Sequence, residues 1–415
     1  MLRSAFVSIV TAFVLIATSS FVAAEPLQFV ILDPPVGLDP QEPTLFALND
    51  GRVVMSWTEP DGDGFVVKMT VGNFSGWTEA RTIVRSNDLF INWADFPSIA
   101  AFPDGTLAAH WLQEDGDGPF AYDVNIALSA DEGRTWSAPI VPHQDGTQSQ
   151  HGFATLMPIT ENALISVWLD ARAYKKDLFS DPASELPDAM QLRATQLTSD
   201  GILSEDILLD AQTCSCCQTS ATVLSDGDVL VAYRDRTDTE IRDISVVRLE
   251  DGQWSKPSIV HKDNWKISGC PVNGPAIDAL GETAVVAWYT AANDTPAVKV
   301  AFSKNGGRYF DAPMRIDLGE AAGRVDALML NEQTALITWV EWQEAGEVIF
   351  ACQARIGEPC GQQQTITVNT GAGSVNFPRM VQTSDGVYLA WTQPAIEGSE
   401  QQNHKATVRV IFARF

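Results

Sequence analysis

The sequence predicts an all-β chain, a β-propeller of four-stranded blades, on three observations. First, a short apolar strand ending in an aromatic recurs seven times, at Trp57, Trp111, Trp168, Tyr233, Trp288, Trp339 and Trp391, with spacings of 54, 57, 65, 55, 51 and 52 residues. A unit of that length holds four strands, the content of one propeller blade. Second, four units place Asp-Gly between their first two strands, at Asp50-Gly51, Asp104-Gly105, Asp226-Gly227 and Asp385-Gly386, where a tight hairpin needs positive φ. Third, 45% hydrophobic and 19% charged residues make a globular balance able to bury a sizeable core.

The second unit shows the four strands best, at residues 96–102, 107–112, 122–128 and 136–141. The last unit lacks a fourth strand. Residues 406–415 fit its third strand, and residues 27–32, ahead of the first unit, resemble fourth strands elsewhere. Pairing the two termini closes a ring of seven blades and leaves no open edge; six blades are the alternative if one unit is degenerate. Residues 172–190, rich in Asp, Lys and Pro, form a loop insertion that accounts for the 65-residue spacing.

The amino terminus reads as an export signal over residues 1–24. One positive charge precedes an apolar run over residues 5–17, and Val22-Ala23-Ala24 sets small residues before Glu25. A single propeller domain over residues 25–415 is expected after its removal, secreted or periplasmic. No later segment has the roughly 18 apolar residues of a spanning helix. With 27 Lys+Arg against 53 Asp+Glu the net charge is -26, a field that repels polyanions and excludes nucleic acid as a partner.

Ser129-Ala130-Asp131-Glu132-Gly133-Arg134-Thr135-Trp136 fits S-x-D-x-G-x-x-W, and Ser303-Lys304-Asn305-Gly306-Gly307-Arg308-Tyr309-Phe310 is a variant of it. Both fall between a third and a fourth strand. There the Asp or Asn can accept backbone N–H groups, the Gly can take φ > 0, and the aromatic can pack between blades. The motif resembles the Asp box of the sialidase superfamily, and the resemblance implies a divergent sialidase-like propeller. Sialidases are six-bladed and use an arginine triad, an Asp acid/base and a Tyr–Glu nucleophile pair. The Arg-Ile-Pro motif carrying the first arginine is absent near the start of this chain, so the resemblance implies the fold and assigns no catalytic residue.

Propeller topology places candidates on one face, because loops joining a fourth strand to the next blade share it with loops joining second and third strands. The first set brings Trp93, His151, Cys214, Cys216, Cys217 and Cys270. The second brings Glu59, Asp170, Arg172, Arg234, Asp235, Arg236, Tyr289 and Glu341. Asp170 with Arg172, and Arg234-Asp235-Arg236, read as an anion clamp, in which guanidinium forks hold a carboxylate, sulfate or phosphate and a carboxylate serves as acid or base, with Tyr289 beside them. Inter-blade salt bridging is the other reading. Trp93, Glu59 and Glu341 are candidate contacts to a glycan or small anionic ligand.

Cys214, Cys216, Cys217 and Cys270, with His151, could hold Cu or Zn. Two structural disulfides, one disulfide with two free thiols, and a reactive or redox pair are the alternatives. Cys352 and Cys360 read as a hairpin disulfide. Two function classes follow. One is a protein that binds an acidic glycan or hydrolyses it as an exo-sialidase-type glycosidase. The other is a soft-metal or thiol-redox protein, including a metal-dependent oxidoreductase, working through the cysteine cluster.

Overall fold

The computed structural model describes residues 28–414, apart from 117, 119, 175–187, 359, 372 and 396–405. The export signal and most of the 172–190 insertion lie outside the described residues. Seven small antiparallel sheets form a ring. Their innermost strands are Gln41–Ala47, Ser98–Ala101, His151–Thr160, Ser220–Val223, Ala276–Leu280, Ala321–Asn331 and Arg379–Thr383. These strands surround a central cavity of ≈ 340 Å³ to which every blade contributes, with Asp95, Asp278, Asp326 and Arg379 among its lining. Among the described residues, no helix is long and apolar enough to cross a membrane.

The ring closes as the termini suggested. Phe29–Leu32 pairs antiparallel with Ala406–Ala413, so the outermost strand of the seventh blade comes from the other end of the chain. The second blade departs from expectation: its fourth strand, predicted at 136–141, is reduced to an isolated bridge between Ile126 and Ile140. Pro139 and Pro142 flank that bridge, and a residue without an N–H cannot extend the ladder.

Period-2 alternation along each second strand decides which neighbouring blade a side chain meets. In Val53–Asp61, Val53, Met55 and Trp57 pack against the seventh blade while Val54 packs against the second. The same geometry turns all seven repeat aromatics toward the preceding blade, each in its own inter-blade core. Strands buried on both faces need apolar residues at consecutive positions, which is why these units read as apolar runs.

The two S-x-[DN]-x-G turns are folded alike. Gly133 N donates to Ser129 Oγ at 2.8 Å and Thr135 N to Asp131 Oδ1 at 2.9 Å. Gly307 N and Tyr309 N repeat this on Ser303 Oγ and Asn305 Oδ1. Gly133 has φ +79°, and a Cβ there would strike the Met69 sulfur. Trp136 and Phe310 pack into the cores between blades 1 and 2 and between blades 4 and 5.

Candidate functional site

The repeat aromatics explain several carboxylates that the sequence offered as site residues. Trp57 Nε1 donates to Glu59 Oε1 at 2.6 Å, Trp168 Nε1 to Asp170 Oδ2 at 2.8 Å and Trp339 Nε1 to Glu341 Oε1 at 2.7 Å. Glu59 also accepts from Gly37 N and Lys68 Nζ, and Glu341 from Leu318 N. A buried indole N–H needs a partner, and two residues onward along a strand is the same face of the pleat. Glu59 and Glu341 are therefore buried acceptors that lock each blade to its loops, rather than ligand contacts. Trp93 is exposed; it stacks on Phe377 at 5.9 Å, with the Arg324 guanidinium 5.3 Å from its ring centre.

The anion clamp is not assembled. Arg234, 1% exposed, donates to the carbonyls of Asn273, Arg242 and Tyr289 at 2.9, 2.7 and 2.7 Å and lies over the Trp265 ring. Arg236 is paired with Glu240 at 2.6 Å. Arg172 is paired with Asp170 at 2.7 Å and Asp206 at 3.0 Å. Asp235 accepts from Ser245 Oγ and Arg236 N. Burial, then Asp210, pushes its pKa up to about 6. Tyr289 meets Trp265 edge-on at 5.5 Å, and burial raises its phenol. Arg234 thus ties the fourth blade to the fifth through the Asn273 and Tyr289 carbonyls, while Arg172 and Arg236 are ion-paired within the third and fourth blades.

The cysteines form the site with the most chemistry, at the entry to the fourth blade. Ile207–Thr213 ends the third blade and Ser220–Val223 begins the fourth, so residues 214–219 cross between them at the ring mouth. Cys214 N donates to Arg234 O at 3.0 Å. Gln218 fixes the loop's other end, donating to Ala94 O at 2.6 Å and accepting from Gly274 N at 3.1 Å. Gly274 admits no side chain, since its Cβ would meet the Gln218 backbone. This pins the loop carrying Cys270 against the loop carrying Cys214, Cys216 and Cys217.

Cys216 and Cys270 are joined in a disulfide, and Cys214 and Cys217 are buried free thiols. The expected five-ligand metal centre is thereby corrected: two of its sulfurs are bonded to each other, and His151 belongs to a separate cluster with Asp123, Asp145 and Asp170. The Arg242 guanidinium, 3.3 Å from Cys214 Sγ, also opposes a cation there. Cys352 and Cys360 form the expected hairpin disulfide.

Cys214 Sγ lies 3.3 Å from Cys217 Sγ and 3.9 Å from Cys216 Sγ. The hydrogen bond from Cys217 and the charges of Arg234 and Arg242 outweigh burial and lower the Cys214 thiol to about 6. Burial and the neighbouring Cys214 sulfur push Cys217 up. A thiol with a lowered pKa followed at i+3 by a buried thiol whose pKa is pushed up is an arrangement that thiol–disulfide exchange can use. The Cys214-x-x-Cys217 spacing was the signal for it; the sequence reading offers a redox pair within the four-thiol set without choosing its members. Arg242, beyond the Arg234-Asp235-Arg236 run, donates to the Cys214 thiol.

No protein-family model matches the chain, and no curated protein matches it. Solved structures do. A protein of unknown function from Dyadobacter fermentans DSM 18053 is 13% identical over 93% of this chain and 98% of that one, with a TM-score of 0.51. The phage phi92 endosialidase is 9% identical over 94% of this chain and 69% of that one, with a TM-score of 0.50. The expected likeness to sialidase-type propellers is thus met, and it is a likeness of fold.

Proposed function

We propose that the chain is an exported thiol–disulfide exchange protein carried on a sialidase-like propeller. The observation that carries this reading is the 3.9 Å approach of Cys214 Sγ to Cys216 Sγ, one end of the Cys216–Cys270 bridge, with Cys217 Sγ 3.3 Å behind. Cys214 is fully buried while Cys270 is exposed, so the bridge is the port and the inner thiols are the electron store. Export after cleavage near Glu25 belongs to the same reading, since such chemistry operates in an oxidising compartment.

The exchange balances with an external disulfide R–S–S–R. The Cys214 thiolate attacks Cys216 Sγ, a Cys214–Cys216 bond forms, and Cys270 leaves as a surface thiolate. Cys270 attacks the external disulfide, forming Cys270–S–R and releasing one R–S⁻. Cys217 then attacks Cys214 Sγ, giving Cys214–Cys217 and freeing Cys216. Cys216 attacks Cys270–S–R, restores the original bridge and releases the second R–S⁻, one of the two taking the proton from Cys217. Two electrons pass from the inner thiols to the external disulfide.

5,5′-Dithiobis(2-nitrobenzoate) counts these steps on the folded chain. Wild type releases two thiolate equivalents and ends with a Cys214–Cys217 disulfide in peptide mapping; Cys217→Ser stops after one, and Cys214→Ser gives none. Equal release from Cys214→Ser and wild type sinks the reading.

A second reading is favoured by a cavity of ≈ 530 Å³ beside the Cys270 loop, lined by Trp265, Tyr289, Asn264, Asn273, Asn293 and Lys266. Aromatic faces with amides suit a carbohydrate, and Lys266 and Asp294 stand together in the same lining. Solved structures of similar fold include an endosialidase. Glycan-array binding lost in Tyr289→Ala, or release from a fluorogenic sialoside, supports it; neither in the folded wild type removes it.

A further inference from the structure

The loop from the second to the third blade builds a cluster that the thiol chemistry does not use. His143 and His151 are stacked at 3.6 Å between ring centres, with planes 7° apart, and both are buried. On one edge of the stack, Asp123 Oδ1 lies 3.4 Å from His143 Nε2 and 3.1 Å from His151 Nδ1. On the other edge, Asp145 Oδ1 lies 3.5 Å from His143 Nδ1 and 3.4 Å from His151 Nε2. Each ring therefore offers one nitrogen to each of two carboxylates.

We propose that Asp123, His143 and His151 hold a divalent transition-metal ion of the Zn²⁺ class, with Asp145 bracing the rings from behind. Four features carry this. Asp123 Oδ1 stands 3.4 and 3.1 Å from the two donor nitrogens, near the edge of about 3.3 Å of a tetrahedron around an ion with N and O bonds of about 2.0–2.1 Å, and the three donor atoms lie within 4.8 Å of one another. His143 Nε2, one of these donors, is buried without a hydrogen-bond partner among the described residues, a state that buried polar atoms rarely keep.

Charge points the same way. Asp115, Asp123, Asp145, Asp170 and Asp206 face two guanidinium groups, Arg172 and Arg193. With neutral imidazoles the cluster holds an excess of three negative charges. Protonating one ring leaves an excess of two negative charges and protonating both sets two imidazolium ions face to face in a 3.6 Å stack, whereas one dication leaves an excess of one. Lastly, a carboxylate on the far nitrogen of a metal-bound imidazole is the usual support for such a ligand.

The ion belongs on the Asp123 edge, because Arg172 Nη2 stands 3.4 Å from Asp145 Oδ1 on the other. The Asp123 side chain is partly exposed there, leaving an open coordination position for water or a substrate oxygen. Two lone pairs converging on one ion require the parallel rings to splay. A donor set of imidazole and carboxylate selects Zn²⁺, Co²⁺ or Ni²⁺ over soft Cu(I), so this site does not depend on the thiol reading.

Co²⁺ titration of the full chain tests it. One equivalent binds with the strong visible d–d bands of tetrahedral Co²⁺ and no thiolate charge-transfer band, and Zn²⁺ displaces it. His143→Ala abolishes the bands with the far-ultraviolet circular dichroism unchanged. Should that variant misfold, Asp123→Asn, at a partly exposed side chain, weakens binding at least tenfold. Folded wild type that leaves Co²⁺ unbound at millimolar concentration overturns the proposal, as does a spectrum dominated by thiolate ligation or an undiminished affinity in Asp123→Asn.

Discussion

The two disulfides of this chain do different work. Cys352–Cys360 spans 8 residues at the end of one hairpin, with Cys352 buried in the core between the fifth and sixth blades. Cys216–Cys270 spans 54 residues, joins the entry loops of neighbouring blades, and has a lowered-pKa thiol 3.9 Å from one of its sulfurs. The same bond is a staple in the first place and an exchange partner in the second. The difference lies in whether a thiolate stands beside it, which depends on how two loops far apart in sequence are pinned together.

The comparison breaks first on reactivity. Dithiothreitol at low concentration should open Cys216–Cys270 at least a hundredfold faster than Cys352–Cys360, read by timed alkylation and mass spectrometry. The inner thiols can relay exchange only to the former. Equal rates would reduce the mouth bridge to a second staple.

Stability ranks the two bridges in the same order. In the loop-closure picture, a 54-residue loop is worth about 4 kcal/mol and an 8-residue loop about 2.5 kcal/mol. Replacing both cysteines of each pair by Ser should lower the urea midpoint in that order. Glu341→Ala, which strands the Trp339 indole and the Leu318 amide, should cost about 2–4 kcal/mol and leave thiol reactivity untouched. That outcome separates the inter-blade acceptors from the site.

The smallest effect is the sharpest. Cys214 is a thiolate above its pKa, so its alkylation, followed in a Cys217→Ser-independent peptide assay, should rise with pH through about 6 and flatten well below the ordinary thiol range. Arg242→Gln removes a guanidinium 3.3 Å away, so the midpoint should move upward by about one unit. A midpoint unmoved by that change would assign the lowered pKa to Cys217 and Arg234 alone.

Much of the fold was legible because its determinants are local and repeated. The aromatic period marked all seven blades, Asp-Gly pairs marked hairpins, and the two termini showed matching strand patterns. The fourth strand of the second blade was overread because an apolar stretch masked what Pro139 and Pro142 do to a ladder. At the site, residue types were right and their partners were not. Arg234 reads as a free cation in sequence, yet it is buried against three carbonyls. His151 was grouped with the cysteines, whereas His143 and Asp145, which stand against it, carried no periodic signal.

What the sequence by itself determined is the ring: strand alternation, turn residues and a recurring aromatic act over a few residues and are repeated until the chain closes. Only the tertiary structure decided which cysteines bond, which thiol ionises and which histidines stack. Those outcomes depend on sulfur, guanidinium and carboxylate groups coming within about 4 Å across blades. Coulomb and hydrogen-bond energies change steeply over that distance in a buried mouth, and spacing along the chain does not encode it.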